Sequence, residues 1–401
     1  MLKTILPHTN QERIEVIDVL RGFTLLGIIL VHFTEQYYAG QPPKVHENYG
    51  AHNLADMIVL GFIGIFISGK FFMIFSFLFG MSFFIQLDKS DDSPAFLFRF
   101  AWRLIVLFII GLVHHLHYRG DILTIYAVLG FGLLLCYKLP DKFLLVLALL
   151  LVVDTPAILQ RTFDILLSNS ASPFPIGDEK ELEIYYSTLK SGSYLDMLRA
   201  NFYEFKSKFD FQILSGRLYI TMGLFLLGLY AGRKKVFENI PFFKKLIRLG
   251  LWMLLGCVVF AGLLALIIFV AKVEMSQAVQ FLLGGTVYDV FNIALAAIYV
   301  GLIVTAFQRE KWHRRLMNFY EVGRMGLTSY LMQALIGTWL LFSYGLALLG
   351  NFGASVWAAI SLMVFILQII FSKWWLGRFQ YGPVEWLWRS LTYFKVWPLK
   401  K

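Results

Sequence analysis

Charged side chains are scarce in this sequence. They make up 15% of its 401 residues, while 58% are apolar; an ordinary soluble domain is ~25% charged and ~45–50% apolar. So little charge cannot coat the surface that so much apolar volume would need in water, which excludes a secreted, cytosolic or disordered chain. Cysteine is almost absent. Cys136 and Cys257 lie in separate apolar runs, so neither a disulfide framework nor a zinc cluster is available. Neither G-x-x-x-x-G-K-[ST] nor G-x-G-x-x-G occurs, which leaves ATP hydrolysis and dinucleotide binding without support. The net charge of +10 is not a nucleic-acid signal here, because basic residues in multi-pass membrane proteins mainly set topology.

Long apolar runs are abundant. Ten candidate spans read as roughly 16–38, 64–87, 97–116, 121–137, 143–160, 214–232, 248–271, 283–307, 325–347 and 355–376; each approaches or exceeds the ~18 residues of a spanning helix. Barrel strands would alternate apolar and polar residues, and Phe143–Val153 does not. The first run is longer than a signal-peptide core and no Ala-x-Ala site follows, so it is expected to stay as a first helix. With the N-terminus in the cytoplasm, 24 of the 36 Lys and Arg fall on the inner side, as the positive-inside rule requires. The predicted fold is therefore all-α: one polytopic helix bundle over 1–401, about ten transmembrane helices, both termini cytoplasmic. Residues 161–213 form an extracytoplasmic loop, with an amphipathic surface helix over its second half, from Tyr194 to Phe211. Residues 377–401, rich in Trp, Lys and Arg, form a cytoplasmic interfacial tail. Gly228-x-x-x-Gly232 suits close helix packing.

Ionisable groups inside spans are costly and are usually paired or functional. Asp18 and Arg21 stand three apart on the first helix and share a face. His32 and Glu35 lie near its other end, and Lys70, Asp154, Arg217, Asp289 and Asn292 lie in later spans. Six of eight histidines map to the outer side: His32, His46, His52, His114, His115 and His117, with Glu35, Glu47, Asp56 and Asp121 beside them. Imidazole exchanges protons near neutral pH, so such a cluster suits a general base; the local spacing does not bring three ligands to one face, and no metal is expected. On the inner side Arg99, Arg103, Arg324 and Arg389 suit phosphate oxygens.

The segment Ile17-Asp18-Val19-Leu20-Arg21-Gly22-Phe23 resembles the opening of the YeiB-like family of bacterial multi-pass membrane proteins, a domain of unknown function. Three further blocks agree: Phe71 to Gly80, Gly111-Leu-Val-His114 leading to Gly120-Asp121 and Tyr126, and Gly323-Arg324 to Tyr330. The tail Tyr381-Gly382-Pro383-Val-Glu385-Trp386-Leu-Trp388-Arg389 is similar too. That family looks related to the transmembrane acyltransferases, heparan-alpha-glucosaminide acetyltransferase-like proteins that carry a similar Asp-x-x-Arg-Gly in the first helix. The resemblance implies a catalytic His in the loop after it, which falls at His46, about ten residues before Ala55-Asp56, or late in the first helix at His32. The YeiB-like pattern itself points to His114 and Asp121.

What the resemblance implies is an acyltransferase of the plasma membrane, the bacterial inner membrane. Acyl-CoA, most simply acetyl-CoA, enters from the cytoplasm near Asp18, Arg21, Arg99, Arg103 and Arg324. His46, His32 or His114 takes the acceptor's proton, oriented by Asp56, Glu35 or Asp121. The acceptor is a sugar or envelope polymer. Its surroundings are the lipid bilayer without nucleic acid, and a homo-oligomer is left open. The alternatives are a small-metabolite transporter, with Asp18, Arg21, Lys70, Asp154 and Asp289 along its path, and a non-enzymatic membrane sensor or scaffold.

Overall fold

The computed structural model describes residues 14–40, 42–44, 50–88, 94–168, 179–272 and 274–401. The described chain is all-helical, without a named strand. In chain order the helices are α1 (Glu15–Thr34), α2 (Leu54–Phe66), α3 (Phe71–Asp88), α4 (Pro94–His117), α5 (Leu123–Cys136), α6 (Asp141–Val152), α7 (Thr155–Ser168), α8 (Glu179–Ser191) and α9 (Tyr194–Leu214). They continue as α10 (Arg217–Arg233), α11 (Ile240–Ala271), α12 (Gln277–Phe307), α13 (Glu310–Leu316), α14 (Tyr320–Arg324), α15 (Gly326–Leu341), α16 (Ala354–Arg378) and α17 (Pro383–Tyr393).

Among the described residues, six segments are long and apolar enough to cross a membrane: 15–34, 54–88, 95–117, 240–271, 277–307 and 354–378. The count reaches eight if the bent pairs α6–α7 and α9–α10 are each one span. The protein is thus a multi-pass membrane protein, but the expected ten spans are not all reached. The run 121–137 yields α5, with 14 residues, and 325–347 yields α15, with 16. At 1.5 Å per residue these are about 21–24 Å long, short of a hydrocarbon core of about 30 Å. The run 143–160 is broken at Asp154, and 214–232 continues α9 only after a sharp bend. Apolar composition sets which residues can enter lipid; it does not set where a helix is interrupted.

The central helix is α1, which packs on α3, α14, α15 and α16. Its apolar side chains point in all directions, as a fully enclosed helix requires: Val19, Leu20, Leu25, Ile29 and Phe33 are all fully buried. Close approach to α14 depends on two glycines. A Cβ on Gly22 would overlap the Phe319 carbonyl, and one on Gly323 would overlap the Asp18 carbonyl. The motif Asp18-x-x-Arg21-Gly22 is thereby pressed against Gly323-Arg324. In the same way Gly228 of α10 sits on the Phe77 carbonyl of α3, and Gly80 of α3 sits on the Phe225 carbonyl of α10.

At the other extreme, α11 packs chiefly on α12, and only 6% of its most apolar window is buried. Leu251, Leu255, Val258, Leu263 and Phe269 are exposed along it, a surface that lipid tails cover. The segment 161–213 is mostly helical where described, and α9 spans the predicted surface helix. It does not lie free: Asn201, Lys208 and Gln212 are buried, and α9 packs along α4. The tail is docked as well, with α17 packed on α4 and α15.

Candidate functional site

A cavity of about 2210 Å³ runs through the bundle. It is at least twice the largest ordinary small-molecule pocket of about 1,000 Å³. Both ends of α1 line it: Asp18 and Arg21 at one end, His32 and Glu35 at the other. From Arg21 to His32 the helix rises about 17 Å.

The first end is rich in arginine. Arg21 pairs with Asp18, and its other terminal nitrogen donates to Ser82 of α3. Arg99 and Arg103 enter from α4, Arg324 from α14 and Arg389 from α17, and all four line the cavity. Aromatic rings hold them in place, as suits a planar guanidinium. Arg103 lies 3.9 Å over Trp388, whose indole N–H donates to the Arg103 carbonyl at 3.0 Å. Arg99 lies 5.2 Å from Tyr393, and Arg389 lies 4.5 Å from Trp397. Arg103 also stands in the electrostatic field of both Arg389 and Arg21. Among the described residues the Nε atoms of Arg324 and Arg389 are buried without a hydrogen-bond partner. Glu385 does not offset this charge directly. Its carboxylate accepts from the Leu327 and Thr328 amides, at 2.7 and 3.0 Å, and so caps the start of α15. Burial pushes that carboxyl up, against the opposing pull of these hydrogen bonds.

The second end is built on Asp121, between α4 and α5. Asp121 accepts from the Leu123 amide at 3.1 Å, the Thr124 amide at 3.0 Å and the Thr124 hydroxyl at 2.8 Å, so it caps α5. His114 Nδ1 lies 2.8 Å from Asp121 Oδ1. An ionised carboxylate only accepts, so Nδ1 carries the proton and Nε2 holds the lone pair. That Nε2 is buried and has no hydrogen-bond partner among the described residues. Burial by itself would raise the Asp121 carboxyl; the hydrogen bond from His114, the nearby Lys208 ammonium and the Thr124 amide outweigh it and hold the group at about 2. Lys208, reaching over from α9, donates to Thr124 Oγ1 at 2.7 Å and lies 3.2 Å from His115 Nδ1. His115 Nε2 donates to the Asn201 carbonyl at 2.8 Å, which fixes Nδ1 as the acceptor.

Among the described residues, His32 is the one histidine on the cavity wall. Its ring lies 5.1 Å from Tyr118, 5.4 Å from Tyr37 and 6.3 Å from Tyr330, and it is within electrostatic reach of His114. His114 sits one layer back, 5.0 Å from Tyr330 and 6.0 Å from Tyr118; both tyrosines line the cavity. Glu35 lines it as well, within reach of Arg217.

The cavity thus gathers Asp18, Arg21, Arg99, Arg103 and Arg324 at one end and His32, Glu35 and Asp121 at the other, with His114 behind. One predicted residue is placed elsewhere. Asp56 is a fully buried cap: it accepts from the His52 and Asn53 amides at 3.0 and 3.1 Å and from the Ser355 amide at 2.9 Å, joining α2 to α16. That carboxylate is off the cavity wall, so its oxygens serve helix ends and not an imidazole. His46 lies outside the described residues. Of the residues on the proposed transport path, Lys70 and Asp154 are off the wall; Lys70 donates to the Gly64 and Ser68 carbonyls at 3.0 and 2.7 Å. His52 is exposed, and His117 is tied to Tyr194 at 2.7 Å.

Sequence reading missed Lys208 and Asn201. A signal for them exists: Asn201, Lys208 and Gln212 fall at spacings of 7 and 4, one polar stripe along the helix.

Residues 231–395 match the family described as "Protein of unknown function (DUF418)". The chain is similar to the uncharacterized protein YxaH of Bacillus subtilis (strain 168), with 29% identity over 422 residues that cover 100% of this chain and 99% of the relative. It is similar to the uncharacterized 39.9 kDa protein in the amylase 3'region of Bacillus acidopullulyticus, at 27% over 412 residues, 98% and 97% of the two chains. It is also similar to the uncharacterized protein YeiB of Escherichia coli (strain K12), at 26% over 405 residues, 95% and 96% of the two chains. The resemblance to YeiB-like proteins therefore holds along the chain. No solved structure matches. The matched family region carries Arg324, Glu385, Trp388 and Arg389, whereas His32, His114 and Asp121 come from the first half.

Proposed function

From a chain similar end to end to YeiB-like membrane proteins, we propose an acyltransferase of the bacterial inner membrane with both termini in the cytoplasm. It moves an acyl group from cytoplasmic acyl-CoA, most simply acetyl-CoA, to a hydroxyl or amine of an extracytoplasmic sugar or envelope polymer. The observation that carries the reading is the single cavity with arginines at one end and His32, Glu35 and Asp121 at the other. Arg21, Arg103, Arg324 and Arg389 hold the phosphates of the donor, because guanidinium forks match phosphate oxygens. The thioester arm, long and flexible, extends along α1, and the cavity has the volume for it.

At the far end His32 takes the acceptor's proton as the acceptor oxygen or nitrogen attacks the thioester carbonyl. A bond forms from acceptor to carbonyl carbon, the carbon–sulfur bond breaks, and the proton goes from His32 to the leaving thiolate. The pair His114–Asp121 stands behind His32. With Nδ1–H directed at Asp121, the His114 Nε2 lone pair is available as a second proton acceptor, on the logic by which a carboxylate orients a catalytic imidazole.

The test uses purified full-length protein in proteoliposomes with acyl-labelled acetyl-CoA. Expected are acetyl-CoA binding, its weakening at least tenfold in Arg103→Ala and Arg324→Ala, and label transfer to an envelope glycan extract. Transfer falls at least a hundredfold in His32→Ala, the order of magnitude a positioned general base contributes. No binding of acetyl-CoA by the folded wild type overturns the reading; solute uptake without such binding favours the transporter.

A further inference from the structure

Four helix ends meet at a point the proposed chemistry leaves unused. The pair α6–α7 is bent by 49° at Val153–Asp154, and the pair α9–α10 by 69° at Ser215–Gly216. Both breaks enter the left-handed backbone region, with φ of 59° at Asp154 and 81° at Gly216. Glycine tolerates that conformation, and aspartate is among the few other residues that adopt it. The two breaks are in contact, since a Cβ on Gly216 would overlap the Asp154 carboxylate.

That carboxylate is 1% exposed, and among the described residues neither of its oxygens accepts a hydrogen bond. Its cationic neighbour is Arg161 of α7, with Nη2 at 3.5 Å from Oδ2; the same nitrogen donates to the Leu214 carbonyl at the end of α9, at 3.2 Å. Arg161 also faces Asp289 of α12, which adds its own negative charge to Asp154. Arg217, from the first turn of α10, faces Asp289 and Glu35. Lys70 is turned toward the rings of Tyr288 and Phe291, its ammonium donating to the Gly64 and Ser68 carbonyls. Two carboxylates, Asp154 and Asp289, therefore draw on the Arg161 guanidinium. Beside Asp289, one helical turn on, the buried Asn292 carbonyl oxygen has no partner among the described residues. In a low-dielectric interior an ionised carboxylate without hydrogen bonds is costly.

We infer that Asp154 is a proton-binding site at the crossing of the two broken helices. Its carboxylate takes up one proton from water of the adjoining cavity arm, which Arg161 and Asp289 line. Protonation leaves Arg161 to Asp289; loss of the proton returns Arg161 to Asp154 and draws the breaks together. The inference does not rest on the acyltransferase reading, because it needs only a buried carboxylate that accepts no hydrogen bond among the described residues and the geometry of the crossing.

The test is pH-difference infrared spectroscopy of the full-length protein in nanodiscs, with aspartate carrying a 13C side-chain carboxyl. Wild type should show a protonated-carboxyl stretch that titrates between about pH 5 and pH 9, the range open to a buried acid. Asp154→Asn should remove the band while thermal unfolding confirms a folded protein. Asp289→Asn should retain it and move its midpoint down by about one pH unit, since a neighbouring negative charge is gone. The Asp289→Asn shift tests the site even where Asp154→Asn does not fold. A wild type with no titrating band, a band that survives in folded Asp154→Asn, or a midpoint unmoved in Asp289→Asn overturns the inference. Displacement of the band at fixed pH by sodium but not by choline also overturns it, in favour of a metal-cation site.

Discussion

Asp121 performs two tasks with one carboxylate: it caps α5 and holds the His114 ring. Both depend on its charge, and this makes a pH prediction. The folded group is held at about 2, below its ordinary 3.8. A depressed folded value means that ionisation stabilises the fold, so the contribution is complete above about pH 4 and is lost as pH falls toward 2, roughly 2 kcal/mol in all. Thermal unfolding of the detergent-solubilised protein should therefore show wild type losing Tm through that window. Asp121→Asn should be less stable at neutral pH and show a smaller loss on acidification. Equal acid sensitivity in both proteins would mean that other carboxylates govern the acid limb. Lys208 matters for the same reason, because its ammonium supports Asp121 from α9 and fixes the His115 tautomer through the hydrogen bonds described above.

Between elements the decisive contact is α1 on α14. Gly22 and Gly323 allow backbone to touch backbone, and this contact places Arg21 and Arg324 on one cavity wall. Gly22→Val or Gly323→Val must push the helices apart, since the obstacle in each case is a main-chain carbonyl that cannot rotate away. Each should cost about 1–3 kcal/mol, the usual cost of overpacking. Gly256→Ala on α11 is the control: nothing lies within 4 Å of the added carbon, and a small gain in helix propensity is expected. Denaturant midpoints of the three variants in one detergent decide the matter. A Gly22→Val protein as stable as Gly256→Ala would refute the close-packed crossing.

Over the whole molecule the arrangement is directional. The arginine end gathers the start of α1, α14 and the docked tail, and the histidine end is covered by α9. The proposed orientation, drawn from the positive-inside bias, puts the first in the cytoplasm. Cysteines introduced singly at Phe394 and Tyr203, 75% and 77% exposed, in a chain without Cys136 and Cys257, report on this. A membrane-impermeant maleimide added to cells whose outer membrane is permeabilised should label the Tyr203→Cys protein. The Phe394→Cys protein should react only after the inner membrane is opened. The reverse pattern would invert the direction of the proposed transfer.

Sequence by itself determined the class and the cast. Apolar runs and sparse charge require helices in lipid, because only a helix satisfies every backbone group of such a run locally. The blocks Asp18 to Gly22, His114 to Asp121 and Gly323 to Tyr330 were legible as motifs, and all three meet the cavity or stand directly behind it. What only the tertiary structure decided is which of these residues face one another. Local pattern records the face of a helix but not its neighbour, so Asp56 read as a partner for histidine and is a helix cap. For the same reason Lys208, on the expected amphipathic helix, was passed over and is buried against Asp121. Helix interruption was equally out of reach. The breaks at Asp154 and Gly216 lie where two segments of the chain press together, a constraint carried by contacts between positions 62 residues apart and by no run of apolar residues.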